Sequence, residues 1–172
     1  MSNEEEQKNV KVVVREFRKR DLDQVAIVAH RAFQSEADKY WSVVGALRAP
    51  KTLVAEVNGR IVGVIEFEVY RLSNSLEGHI WYIFVDPSFQ RKGIGSLLLK
   101  HAENWIAEKG AKRVWAITGS YNIPTQKFFE KNNYRRMDIA EMKKILGSKN
   151  TKRFLRRMIY WEGDIIYMKE LK

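Results

Sequence analysis

No cysteine occurs among the 172 residues, which excludes disulfides, a thiol nucleophile and cysteine-ligated zinc. Proline is scarce too, and Pro50, Pro87 and Pro124 each fall where an element should stop or start. No apolar run approaches the roughly 20 residues needed to span a bilayer, so no membrane segment is expected. The first nine residues, Met1 to Asn9, lack the basic and then apolar pattern of a signal peptide. They read as a short, disordered acidic tail (1–9), and a cytoplasmic location is the simplest reading. Acidic residues are in the minority, 21 Asp+Glu against 31 Lys+Arg, giving a net charge of +10 and a pI near 9.8.

What is present describes a globular chain. Apolar residues make up 45% and aromatics 12%, enough to bury a core. No linker, repeat or low-complexity segment divides the sequence, so residues 10–172 are expected to form a single domain. Val10–Phe17 reads as a strand, and Asp21 as the cap of a helix reaching Phe33. A second helix runs through Trp41, Val44 and Leu47 to Pro50. Thr52–Val57 and Arg60–Tyr70 flank Asn58-Gly59, the strongest short hairpin signal, because a type I′ turn needs positive φ at both central residues.

His79–Val85 is apolar enough for a strand buried on both faces. Helical spacing then runs from Ile94 to Lys109, a strand from Arg113 to Thr118, and a helix from Pro124 to about Asn132. Asp138-x-x-Glu141 resembles a capping box, with Gly147 closing the helix it opens. Met158–Trp161 and Ile165–Leu171, joined by Glu162-Gly163-Asp164, read as a terminal hairpin. Between Lys143 and Arg157 the basic residues Lys143, Lys144, Lys149, Lys152, Arg153, Arg156 and Arg157 meet no acidic one. That run is either a solvated face or a surface for an acidic partner.

Gln90-Arg91-Lys92-Gly93-Ile94-Gly95 joins the buried strand to an amphipathic helix. Its two glycines let the backbone approach a ligand without Cβ obstruction. The helix start behind them offers unpaired N–H groups and the positive end of a dipole, which suit a pyrophosphate. Glycines used for turn geometry alone would look the same in isolation.

The longer segment Val85-Asp86-Pro87-Ser88-Phe89-Gln90-Arg91-Lys92-Gly93-Ile94-Gly95-Ser96-Leu97-Leu98 resembles the acetyl-CoA-binding motif of the GNAT N-acetyltransferase superfamily, V-x-P-x-x-[QR]-x-x-G-x-[GA]. Asn122–Tyr134 resembles the family's N-x-x-A-x-x-F-Y-x-K-x-G-F segment. The resemblance covers Val10 to Thr118 and continues to Tyr134, and it leaves residues 137–157 as a basic insertion. It implies a mixed, largely antiparallel twisted α/β sheet flanked by helices, with two central strands splayed apart.

It also implies acetyl-CoA as co-substrate, with no metal. Ile83, Phe84 and Val85 would bind pantetheine through their backbone. The amide near Val85 would polarise the thioester carbonyl, an effect worth roughly 3 kcal/mol in other enzymes. Gln90, Arg91, Lys92, Gly93, Ile94, Gly95 and Ser96 would hold the pyrophosphate, and Asn122 would lie near pantetheine. Phe129 takes the place of the family tyrosine that protonates the leaving thiolate, so this sequence lacks that hydroxyl. Tyr134, or Tyr121 through water, would have to replace it, or the thiolate would leave unprotonated.

His79 shares a strand with Val85, and strict alternation puts His79, Trp81, Ile83 and Val85 on one face. It is the candidate base for the attacking amine, with Glu66 and Glu68 as rivals. A hydrogen-bonded structural histidine is the alternative. The acceptor is a primary amine of a protein or peptide, or else a small amine or polyamine. A nucleic-acid-binding module and an inactive acyl-CoA sensor stand as rivals. Monomer and homodimer are equally compatible.

Overall fold

The computed structural model describes residues 11–172, so the expected tail lies outside the described residues. β1 (Val12–Glu16), β2 (Lys51–Val57), β3 (Arg60–Arg71) and β4 (Leu76–Val85) form an antiparallel meander. Asn58 and Gly59, at φ 50° and 77°, make the left-handed turn between β2 and β3 that their identities predict. β5 (Arg113–Thr118), β6 (Arg135–Met137) and β7 (Ile165–Glu170) complete a seven-stranded sheet in the order β1-β2-β3-β4-β5-β7-β6. Only β4 and β5 run parallel. The sheet is mixed and largely antiparallel, as expected.

Helices cover both faces. α1 (Leu22–Ala32) and α2 (Glu36–Arg48) lie on one, where Val25, Val28 and Ala29 pack on Val64 and Phe84. α3 (Ile94–Glu108) and α4 (Ile123–Lys131) lie on the other, where Leu98, Ala102, Ile106 and Phe129 meet Ile65, Phe67 and Ile80. Leu98 is fully buried, and cutting such a side chain to Ala costs about 2–5 kcal/mol. Asp21 precedes α1, but its carboxylate does not cap that helix. It accepts from the Arg18 amide at 2.7 Å and from Arg15 at 2.8 Å, so the neighbouring cation takes the oxygens a cap would use.

Residues 137–157 are more than a charged surface. α5 (Ile139–Leu146) opens with the expected reciprocal bonds between Asp138 and Glu141 and stops at Gly147. α6 (Ser148–Arg157) follows directly. Met142, Leu146, Phe154 and Met158 cover Trp115, Ile166 and Met168 on the same face as α1 and α2. The expected Met158–Trp161 strand does not form. Met158 ends α6, Ile159 turns into the left-handed region at φ 57°, and Trp161 and Asp164 close a loop by mutual hydrogen bonds. β7 pairs with β5 and β6 instead. A four-residue apolar run has no period long enough to tell a helix end from a strand.

The sheet opens at its centre. β4 and β5 pair only at Gly78–Val114 and His79–Trp115. Beyond those pairs β4 keeps its bonds to β3 through Val85, β5 keeps its bonds to β7 through Thr118, and the two diverge. Gly78 marks the closed end, because a Cβ there would meet Ile106 at 2.6 Å and the Arg113 carbonyl at 3.1 Å. Immediately after the last pair, β4 bulges. Ile80 lies opposite Phe67 and Tyr82 opposite Glu66, leaving Trp81 as the extra residue.

Candidate active site

The bulge overturns the expected alternation. Ile80, Ile83 and Val85 pack with α3, whereas Tyr82 and Phe84 pack with α1. His79 and Trp81 also face away from α3, His79 against Phe154 and Trp81 beneath the Arg157 guanidinium. One extra residue moves every later side chain to the opposite face. Ile83 and Val85 therefore share a face with α3, and His79 does not.

The donor turn, Gln90–Gly95, where the family resemblance expects the acetyl donor, follows Val85. Arg91 and Gly93 are both left-handed, at φ 61° and 81°, and Gly93 is the N-cap of α3. The first helical bond runs from the Leu97 N–H to the Gly93 carbonyl. Among the described residues, the N–H groups from Arg91 to Ser96 donate no hydrogen bond. Successive free amides at a helix start make a concave anion site, and exposed Arg91 and Lys92 add charge at its rim. Gly95 serves a different end: its Cα faces the Phe128 ring, which a Cβ would meet at 3.1 Å. Along Ile83–Val85 the edge of β4 that faces β5 is unpaired, so it is free to bond an extended ligand.

Two groups fix this turn. The Gln90 side-chain amide donates to the Val85 carbonyl at 2.9 Å, so this side chain braces the turn from behind. Asp86 is buried and accepts from Arg31 at 2.8 Å, Arg60 at 3.3 Å and the Ser88 amide at 2.9 Å. Burial works to raise its pKa, but the Arg31 and Ser88 bonds hold it below the usual carboxylate range. In the sequence, Asp86-Pro87 reads only as the end of the His79–Val85 strand. An Asp immediately before a Pro at the first position of a helical turn is a capping signal, and it pointed to this residue.

On the opposite face, His79 Nδ1 lies 3.2 Å from Glu68 Oε1. Glu68 also accepts from Trp81 Nε1 at 3.0 Å and from Arg157 at 2.8 and 2.5 Å. Burial alone would raise the Glu68 pKa, yet these donors bring it down to about 2. Burial lowers the His79 pKa, and with Glu68 already neutralised by Arg157 the carboxylate does not reverse that. His79 is thus neutral near pH 7. Its Nδ1 proton points to Glu68, and its Nε2 lone pair remains available.

Glu66 is different. Both its oxygens are buried without a partner, and burial raises its pKa to about 9. Its carboxyl fills the space a side chain on Gly45 of α2 would need.

Phe129 is buried, stacked on Tyr167 with ring centroids 5.6 Å apart, while half-buried Phe128 faces the donor turn. The Tyr134 hydroxyl donates to buried Glu103 at 3.1 Å, and burial raises its pKa. This bond holds Tyr134 to α3, with its ring 5.1 Å from that of Phe129. Asn122 accepts from the Thr125 amide at 3.3 Å and so caps α4. Tyr121, 85% exposed, stands just past the open end of β5 with its ring against Gly119. Tyr82 donates to Asp38 at 3.2 Å. Two open hollows of about 600 Å³ lie elsewhere, one beside Glu103 and Lys169 and one at Ser73–Ser75. Neither includes the donor turn or His79.

A splayed β4–β5 pair, a left-handed turn of free amides and a helix behind it define the N-acyltransferase class of fold. Sequence comparison agrees. The chain belongs to the Acetyltransferase (GNAT) family, whose sequence pattern matches residues 15–134. It is 29% identical over 91 residues to an uncharacterized N-acetyltransferase of Methanocaldococcus jannaschii, covering 51% of this chain and 40% of that protein. It is 29% identical over 97 residues to an acetyltransferase of Pectobacterium atrosepticum, covering 55% of this chain and 64% of that one. The matches thus span less than two thirds of these relatives. PaiA N-acetyltransferase of Thermoplasma acidophilum, solved with coenzyme A, superposes with TM-score 0.69 at 17% identity, covering 94% of this chain and 99% of that one. The Escherichia coli ribosomal-protein-S18-alanine N-acetyltransferase superposes with TM-score 0.66 at 16% identity, covering 94% and 95%.

Proposed function

We propose that this protein transfers the acetyl group of acetyl-CoA to a primary amine of a protein or peptide, by direct attack in a ternary complex. The observation that carries the reading is the run of undonated amides from Arg91 to Ser96 beside the unpaired edge of β4. Pyrophosphate would occupy the first and pantetheine the second, with the thioester reaching toward the bulge at Trp81.

The donor turn and α3 belong to one face of the sheet, and His79 and Trp81 belong to the other. The amine would enter from that second face. Its nitrogen attacks the thioester carbonyl carbon, the C–N bond forms, and the C–S bond breaks. His79 receives the amine proton through water at Nε2, while Glu68 holds the ring in that tautomer. The departing thiolate needs no strong acid, since a thiol ionises near pH 8.5. Tyr121, exposed just past the end of β5, would protonate it through water. What supports a polypeptide acceptor is the exposed aromatic surface of Tyr40 and Trp41 on α2 and Trp161 after α6, on the face that carries His79. An acetyl-CoA turnover screen across N-terminal peptides, lysine peptides and polyamines tests this. Turnover confined to polyamines would refute the polypeptide reading, and none with any amine would refute the activity.

A further inference from the structure

Lys149, Lys152, Arg153 and Arg156 recur on α6 at i, i+3, i+4 and i+7, so they form one stripe along the helix, and all are exposed. The inward face is separate: Asn150, Thr151, Phe154 and Met158 are buried. Among the described residues none of the four enters a salt bridge, and the one side-chain bond is Arg153 Nε to the Tyr70 hydroxyl at 3.1 Å. Lys143 and Lys144 on α5 extend the charge, and no acid lies between Glu141 and Glu162.

Arg156, in the last turn, suits the helix dipole, but the rest of the arrangement does not help the isolated helix. Like charges three and four apart repel by about 0.2–0.5 kcal/mol a pair. Lys149 stands in the first turn, where the dipole favours anions. Packing engages only Arg153, whose guanidinium lies 5.4 Å from the Tyr70 ring centroid, so the charges of Lys149, Lys152 and Arg156 are available to a partner.

Its position says which partner. Arg157, the next residue after the stripe, binds Glu68 and lies 5.4 Å from the Trp81 ring, where β4 leaves β5. The stripe therefore leads outward from the place where the amine would react. From Lys149 to Arg156 it is about 10 Å long, a length that about three to four residues of extended chain cover.

We propose that α6 is a docking rail for acidic acceptor polypeptides, whose Asp and Glu side chains flank the amine to be acetylated. This deepens the functional reading above and rests on it. Nucleic acid would meet the same charge, but it offers no aliphatic amine to the adjoining site.

The test replaces Lys149, Lys152, Arg153 and Arg156 by Gln together, which keeps helix propensity and removes the charge. Thermal unfolding checks that the variant folds, and an Arg153-sparing triple variant stands in if it does not. Peptides with one reactive amine followed by acidic, neutral or basic residues are compared at 50 and 200 mM salt, together with a small amine. The wild type should favour the acidic over the neutral peptide at least tenfold in kcat/KM at low salt. High salt and the variant should both erase that preference, and small-amine turnover should stay unchanged. Equal rates for all peptides, a preference the variant retains, or duplex DNA bound more tightly than the acidic peptide would each overturn the proposal. If no amine is acetylated at all, the functional reading fails first. Fluorescence anisotropy of the acidic peptide then tests the rail alone: binding lost in the variant upholds it, and no wild-type binding overturns it.

Discussion

Glu66 keeps its proton because both oxygens are buried and neither has a protein donor. The unfolded chain ionises this group near 4.5 and the folded chain near 9. Between those values the unfolded state has released a proton that the fold retains, so stability falls as pH rises. From pH 5 to pH 7 the loss is on the order of 2–3 kcal/mol from this group alone. Glu66→Met keeps the volume and removes the titration, so urea unfolding at the two pH values should show a correspondingly smaller loss in the variant. Equal losses would contradict the assignment. His79 is tested by activity. With its pKa lowered, the acid limb of kcat/KM should lie below about pH 6.5. His79→Ala should lower kcat at least tenfold, leave the KM for acetyl-CoA nearly unchanged, and abolish that limb. Arg157→Met leaves Glu68 without a cationic partner, facing His79 and the neutral Trp81 N–H, which should move the limb to higher pH. A limb that persists in His79→Ala and stays fixed in Arg157→Met belongs to another group.

At the scale of elements, the donor turn was legible because two glycines between an apolar strand and an amphipathic helix leave few conformations. Its second left-handed residue, Arg91, was not, since that conformation disfavours a long side chain and no propensity predicts it. The bulge at Trp81 was equally hidden, because an extra residue in an all-apolar strand leaves no break in pattern. It alone separates the observed face of His79 from the expected one. The false hairpin at Met158–Trp161 failed for lack of length, and α6 was masked by its own charge. Two substitutions probe the turn. Gly93→Val forces a β-branched residue to φ 81° at a site with open space around it, so the fold should survive and acetyl-CoA affinity should drop at least tenfold by calorimetry. Asp86→Ala removes the Ser88 cap and the Arg31 pair, costing about 1 kcal/mol or more in stability, and should weaken acetyl-CoA binding as the turn loosens. Wild-type affinity in both variants would detach the turn from the cofactor.

For the molecule as a whole, the proposed reaction would bring cofactor and acceptor to the gap in the sheet from opposite faces, and the net charge of +10 favours anions. Acetyl-CoA at 100 times its Kd should raise stability by about 2.7 kcal/mol, less so at high salt, where phosphate attraction is screened. The central claim is that the free amides of residues 91–96 and the open edge of β4 hold the cofactor. Amide NMR of nitrogen-15-labelled protein titrated with acetyl-CoA tests it most directly. The account predicts that the largest shifts fall on Arg91–Ser96 and Ile83–Val85, with little change at Lys100–Glu103 or Ser73–Ser75. Shifts centred on either of those hollows, with residues 91–96 unmoved, would contradict it.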